Sequence, residues 1–149
     1  MLKYFKVKEN NVACWVNPRD FGTHKQSLVF IHGSGGNSSA WSHQYAKLHK
    51  LFNIAAVDLP GHGKSGGHGK QDISEYVLDV KEILSVLKLE HPILIGHSLG
   101  AAIEILARRG GRTSSSRSRA GSAARSGNRF ARPEERRRGE CLVQTCAGA

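Results

Sequence analysis

The chain has 149 residues, a formal net charge of +10 and a sequence pI near 10, with 39% apolar and 7% aromatic residues. That length suits one domain with a modest core. Three cysteines argue against a disulfide framework, and no apolar run approaches the ~18 residues of a membrane span. The first ten residues contain lysines but no apolar stretch of signal-peptide length, so a cytoplasmic location is expected.

The charge first suggests a nucleic-acid binder, but it is concentrated at one end. Residues 1–107 hold 11 Lys+Arg against 9 Asp+Glu, a net of +2. Residues 108–149 hold 11 Arg against 3 Glu, a net of +8. Phe130, Leu142 and Val143 are the sizeable apolar residues of this second part. So little to bury cannot offset the entropy of ordering a backbone, which predicts a disordered tail. The expected organisation is therefore a domain over 1–107 followed by an Arg/Ser/Gly/Ala-rich tail over 108–149. Phe130 is alone among the arginines, so stacking on bases is not indicated, and nucleic acid is not the expected partner.

Along the first part, Leu2 to Lys8 and Val12 to Val16 predict two short strands around Asn10-Asn11. The run Ser27-Leu28-Val29-Phe30-Ile31 predicts a strand buried on both faces. After the loop His32-Gly33-Ser34-Gly35-Gly36-Asn37, Ser38 or Ser39 is placed to cap a helix. On that helix Trp41, Tyr45, Leu48 and Leu51 would share a face. A second buried strand, Ile54 to Val57, ends at Asp58, and a glycine-rich loop runs from Leu59 to Lys70. Asp72 and Glu75 have capping-box spacing ahead of an amphipathic helix marked by Ile73, Val77, Val80, Ile83, Leu84 and Leu87. A third buried strand, Ile93-Leu94-Ile95, turns through Gly96-His97-Ser98-Leu99-Gly100 into a helix over Ala101 to Ala107. Strands alternating with helices predict the α/β class with a mostly parallel sheet and helices on both faces.

Gly96-x-Ser98-x-Gly100 matches the nucleophile-elbow pattern. A serine on a sharp strand-to-helix turn is forced into an unfavourable backbone conformation, and its neighbours two residues away crowd each other. Glycine at both of those positions relieves the crowding. The turn lifts the hydroxyl above the sheet's C-terminal edge and aims a helix N-terminus at developing negative charge. The bland alternative is a tight strand-to-helix turn with an incidental serine.

Three segments together resemble the α/β-hydrolase fold family, in its serine-nucleophile, esterase- and lipase-like branch. They are His32-Gly33-Ser34-Gly35-Gly36, Asp58-Leu59-Pro60-Gly61-His62-Gly63-Lys64-Ser65 and Gly96-His97-Ser98-Leu99-Gly100, each after a buried strand. The resemblance covers about residues 2–107 and implies about five of the family's eight strands. It implies Ser98 as nucleophile, with the backbone N–H groups of Ser34 and Leu99 as oxyanion hole. His32, Gly33, Asp58, Gly96 and Gly100 would support the motif, with Asp58 and His62 tying down their loop. The implied substrate is a small acyl compound, an ester, thioester or similar, and the resemblance leaves esterases, lipases, thioesterases and carbon–carbon bond hydrolases open. A serine at position 98 speaks against the aspartate-nucleophile branches.

The family places an acid and then a histidine after the serine. Here no aspartate follows Asp79 and no histidine follows His97. Glu134, Glu135 and Glu140 could formally act as the acid, but no base remains for them to orient. The expectation is an incomplete triad and an inactive chain, with a reading-frame shift near residues 106–111 as the source of the tail. The competing readings are a catalytically dead hydrolase fold kept as a binding module, or nucleic-acid binding through the arginines. Cys14 is expected in the core. Cys141 and Cys146 lack the partners of a zinc site, and no dinucleotide fingerprint is present, so neither metal nor cofactor is expected.

Overall fold

The computed structural model describes residues 1–17, 25–89 and 91–109. Five strands and three α-helices follow in chain order: β1 (Leu2–Val7), β2 (Asn10–Val16), β3 (Ser27–Ile31), α1 (Ser42–Leu48), β4 (Asn53–Val57), α2 (Ile73–Val86), β5 (Ile93–Gly96) and α3 (Leu99–Arg109). A 3-10 turn, Ser38–Trp41, leads into α1. The strands form one sheet in the order β1-β2-β4-β3-β5. β3 pairs in parallel with β4 and β5, whereas β2 is antiparallel to both β1 and β4. The sheet is thus mixed, with a parallel centre of the expected kind joined to an antiparallel hairpin. The arginine-rich stretch and its expected disorder lie outside the described residues, except that Arg108 and Arg109 end α3.

Every residue of β3 and β4 is buried, which explains their uninterrupted apolar sequences. Alternate side chains serve two cores. Val29, Ile31, Ala55, Val57 and Leu94 pack against Val77, Val80 and Ile83 of α2 and Ile103 of α3. Leu28, Phe30, Ile54 and Ala56 point the other way, against Trp41 with Tyr45 and Leu48. Each fully buried aliphatic side chain contributes about 1.5–3 kcal/mol, so the layers are held chiefly by these contacts.

Local chemistry departs from the sequence-based expectations at several points. The hairpin turns at Lys8, whose φ is 52°, and Asn10-Asn11 already belongs to β2. Asn37, rather than Ser38 or Ser39, caps the helical segment by accepting the Ser39 N–H at 2.9 Å. That segment stops at Leu48, and Leu51 is 67% exposed instead of joining the apolar face. Asp72 caps α2 through the Ser74 N–H at 2.8 Å. Glu75, however, reaches Lys70 at 3.6 Å, so only half of a capping box forms. β5 is partly exposed because it has no strand on its outer side among the described residues.

Two acids are buried against α2 and α3 with different outcomes. Asp79 accepts from Lys8 Nζ at 2.6 Å, which ties the hairpin turn to α2 and raises the lysine's pKa. Glu104, on α3, is 0% exposed, and neither carboxylate oxygen makes a well-formed hydrogen bond. Burial pushes its pKa up; the Gly96 backbone and the Arg108 charge oppose the rise without cancelling it. An acid whose folded pKa exceeds its unfolded value of 4.5 loses stability as pH rises from 4.5 through the folded pKa. Replacing such a group by an apolar one of similar volume is neutral to stabilising. Glu104→Met is therefore expected to gain about 1–2 kcal/mol at pH 7.5. The gain should shrink in thermal melts repeated near pH 3.5, below both pKa values, where the carboxyl is largely neutral in the folded and unfolded states.

Candidate active site

The three glycine-rich loops all leave the C-terminal ends of parallel strands, so they meet at one edge of the sheet. At the end of β5, Ser98 has φ 53°, a left-handed conformation that costs a non-glycine residue about 1–2 kcal/mol. What holds it there is the contact of α3 with the strand ends. A Cβ on Gly96 would sit 2.3 Å from the Gly100 carbonyl carbon, and one on Gly100 would sit 2.2 Å from the Ile31 carbonyl oxygen. Only glycine fits at both positions. The His97 N–H donates to Ile31 O at 3.2 Å, and Gly100 N–H donates to His97 O at 2.9 Å, which closes the turn.

Ser98 and His97 are exposed. The Ser98 hydroxyl has no hydrogen-bond partner among the described residues. A Cβ on Gly33 would lie 3.0 Å from His97 Nδ1 and 3.2 Å from Ser98 Cβ, so the first loop presses directly on the elbow. Its neighbour Ser34 is thereby carried to the same edge. Among the described residues the backbone amides of Ser34 and Leu99 are not used in any loop or cap hydrogen bond.

The supporting residues form a rigid base beneath this edge. Asp58 is 1% exposed and has both carboxylate oxygens occupied. Oδ1 accepts the Ser38 N–H at 2.6 Å and Oδ2 the Lys64 N–H at 2.8 Å. It therefore staples the first loop to the second. Gly63, with φ 53°, leaves the room for this, since a Cβ there would stand 2.3 Å from Asp58 Oδ2. Ser65 completes the staple by donating to Asp58 O at 2.6 Å and accepting from Ala13 N–H at 2.8 Å. Ser65 stands within the quoted motif, but only the fold reveals its bridging task.

His32 is fully buried, and both ring nitrogens are engaged. Nε2 accepts the Leu59 N–H at 3.0 Å, which places the proton on Nδ1, 2.7 Å from Gly33 O. Burial lowers its pKa, with the hydrogen bond to Gly33 opposing, so it is held neutral. It orders two loops and has no lone pair free to act as a base. His62 packs beside it, ring centroids 5.1 Å apart, with its own Nδ1 3.2 Å from Pro60 O. No group of three or more His, Cys, Asp or Glu that could hold a metal occurs among the described residues. Glu134, Glu135, Glu140, Cys141 and Cys146 lie outside them; Cys14 is buried, as expected, and burial pushes its thiol up to about 12.

The model of the alpha/beta hydrolase family matches residues 28–144, which includes all three loops. The chain belongs to the alpha/beta hydrolase family. The match continues past the compositional boundary at residue 107. An uncharacterized protein of Mycobacterium tuberculosis is 37% identical over 78 residues, covering 52% of this chain and 23% of the relative. A 2-hydroxy-6-oxononadienedioate/2-hydroxy-6-oxononatrienedioate hydrolase of Paraburkholderia phymatum is 34% identical over 106 residues, 66% of this chain and 36% of the relative. A pimeloyl-[acyl-carrier protein] methyl ester esterase of Wigglesworthia glossinidia brevipalpis is 38% identical over 85 residues, 57% and 31% of the two chains. The chain thus spans about a third or less of the length of the curated relatives it matches. Among solved structures, a bacterial membrane phospholipase A superposes with a TM-score of 0.66 at 22% identity. It covers 72% of this chain and 34% of that one. Epoxide hydrolase A of Mycobacterium thermoresistibile gives 0.63 at 21%, covering 72% and 34%. At these identities the likeness is one of fold. No described helix is long and apolar enough to cross a membrane.

Two stability measurements test this geometry. Ser98→Gly is expected to stabilise the chain by about 1 kcal/mol through relief of the left-handed strain, and Gly100→Ala to destabilise it by more than 2 kcal/mol. Equal urea midpoints for the two variants would contradict the elbow. For His32 the unfolded pKa of 6.5 exceeds the folded value, so stability is complete above pH 6.5 and is lost as pH falls through the folded pKa. Urea midpoints should therefore drop between pH 7.5 and 5.5, and His32→Gln should flatten that drop while lowering the midpoint at pH 7.5.

Proposed function

We propose that this chain carries the nucleophile half of a serine acyl hydrolase acting on an ester or thioester. The observation that carries the reading is Ser98, held at φ 53° between two glycines that no larger residue can replace. Strain of this kind persists only where the surroundings over-determine it, and it clusters at functional sites. In this reading Ser98 Oγ attacks the acyl carbonyl. The free amides of Ser34 and Leu99 stabilise the oxyanion, each such donor being worth about 3 kcal/mol in the transition state. Gly33, Gly96 and Gly100 allow the close approach, and Asp58 and His32 hold the loops that bear the donors. The name of one relative, a methyl ester esterase, supports this chemistry, and that of another supports hydrolysis in general.

No histidine or aspartate follows Ser98 in the sequence, and no described group bonds its hydroxyl. The chain by itself then holds an unactivated serine, since serine is a weak nucleophile without a base. A fluorophosphonate should leave Ser98 unlabelled. A thiol needs no such base, because a few per cent is thiolate at neutral pH. Ser98→Cys is therefore expected to release one equivalent of 4-nitrophenolate from 4-nitrophenyl acetate in a burst. The burst should run at least tenfold faster than that of Ser85→Cys on α2 or of the native cysteines. Equal rates for the two cysteine variants would remove the oxyanion site, and fluorophosphonate labelling of native Ser98 would show that a base is present.

A further inference from the structure

A cavity of about 180 Å³ opens on the α1 side of the sheet, away from Ser98. It arises from one unequal cross-strand pair. Trp15 of β2 lies opposite Ala56 of β4 in the register, and the small alanine leaves space beside the large indole. Trp41 and Tyr45 of the helical segment form the other walls, and the exposed Ser39 and Ser42 also line the opening. Ser98 is not among the lining residues, although Ser38, whose N–H is held by Asp58, joins the wall where the first loop ends. Ala56 lies on β4 and Ser98 follows β5, with β3 between them, a lateral offset of about 10 Å at ordinary strand spacing.

The walls are already fixed. Trp41 packs on Phe30 with ring centroids 5.0 Å apart. Tyr45 is stacked on His49 at 5.6 Å and an interplanar angle of 10°, and its hydroxyl donates to Val16 O at 3.3 Å. Trp15 stands at the open end of the hairpin, paired with Leu2 on one side and Ala56 on the other. A site whose side chains are immobilised beforehand loses little entropy when it is filled. Trp15 is nevertheless 40% exposed, so its indole still has apolar area to bury.

We propose that this cavity is a binding site for a monocyclic aromatic molecule with one uncharged polar substituent. Size selects a single ring, since an apolar cavity of about 150 Å³ accepts benzene. Three aromatic walls favour a flat π-system over a saturated ring of equal volume through offset and edge-to-face contacts worth about 0.5–1.5 kcal/mol per pair. Among the described residues no charged side chain lines the cavity, so an ionised head group would lose hydration without a described counter-charge. A hydroxyl or carbonyl instead meets the serine hydroxyls at the mouth. The site is independent of the acyl-transfer chemistry at Ser98.

The chain contains two tryptophans, and both line this cavity, so their indole N–H signals report on it directly. The test is a titration of the ¹⁵N-labelled full chain with benzyl alcohol, cyclohexylmethanol and benzoate, followed by two-dimensional NMR. Benzyl alcohol should move both indole signals along saturable curves with a Kd of order 1 mM, as befits eight heavy atoms of moderate efficiency. Cyclohexylmethanol and benzoate should each bind at least fivefold more weakly. Ser42→Phe, a change at an exposed position that plugs the mouth, should weaken benzyl alcohol at least tenfold. Ala56→Val, which narrows the cavity from the sheet side, should do the same. Ser98→Ala should bind like the native chain. Non-saturating shifts, equal affinity for the saturated alcohol, or unchanged binding in both cavity variants would each overturn the proposal.

Discussion

The contact between the N-terminus of α3 and the ends of β3 and β5 is the constraint on which the rest depends. It requires the backbone of Gly100 to stand against the Ile31 carbonyl and that of Gly96 against Gly100 itself. Once those surfaces touch, the chain between them has only three residues in which to turn from strand to helix, and Ser98 absorbs the strain at φ 53°. The same contact brings Gly33 beside Ser98, because His32 and Gly33 continue from Ile31. One close approach thus sets the elbow, the position of the first loop and the exposure of the serine. Apolar burial between β3, β5, α2 and α3 provides the force that keeps the surfaces together.

Around this contact the loops are held by polar groups that are saturated rather than poised. Asp58 spends both oxygens on backbone amides, and His32 spends both nitrogens. Fully satisfied buried groups of this kind rigidify a loop and specify one arrangement. They are poor acid–base catalysts for the same reason, since a lone pair already accepting a hydrogen bond is not available to a substrate. Glu104 is the contrasting case: it is buried and lacks a full set of partners, so it costs stability where Asp58 adds it. Family membership therefore accounts for the fold and the loops, while the residues present leave Ser98 without a described activating group.

Much of the core and the candidate site was legible in the sequence. The buried strands announced themselves as Leu28 to Ile31 and Ile54 to Val57, because a strand covered on both faces has no polar alternation to confuse it. Gly96, Ser98 and Gly100 were legible because steric exclusion admits so few residue types at those positions. The local chemistry read less well. Asn37, not a serine, caps the segment before α1, since several adjacent side chains can accept the same amide and only the entry angle of the chain chooses among them. The hairpin turns at Lys8-Glu9 because pairing of β1 with β2 sets the register, and Asn10 is drawn into the ladder opposite Val7.

By itself the sequence determined the alternation of strands and helices, the three glycine-rich loops at strand ends, and the serine between two glycines. These are local patterns, dictated by burial periodicity and by sterics within a few residues. Only the tertiary structure decided which loops touch, that Asp58 and His32 are fully consumed in tying them, and that Glu104 is sealed in the core. It also decided that Trp15 faces Ala56 across two strands and leaves a cavity. Each of these depends on residues 20 to 70 positions apart, brought together by strand order and register, which no local pattern encodes.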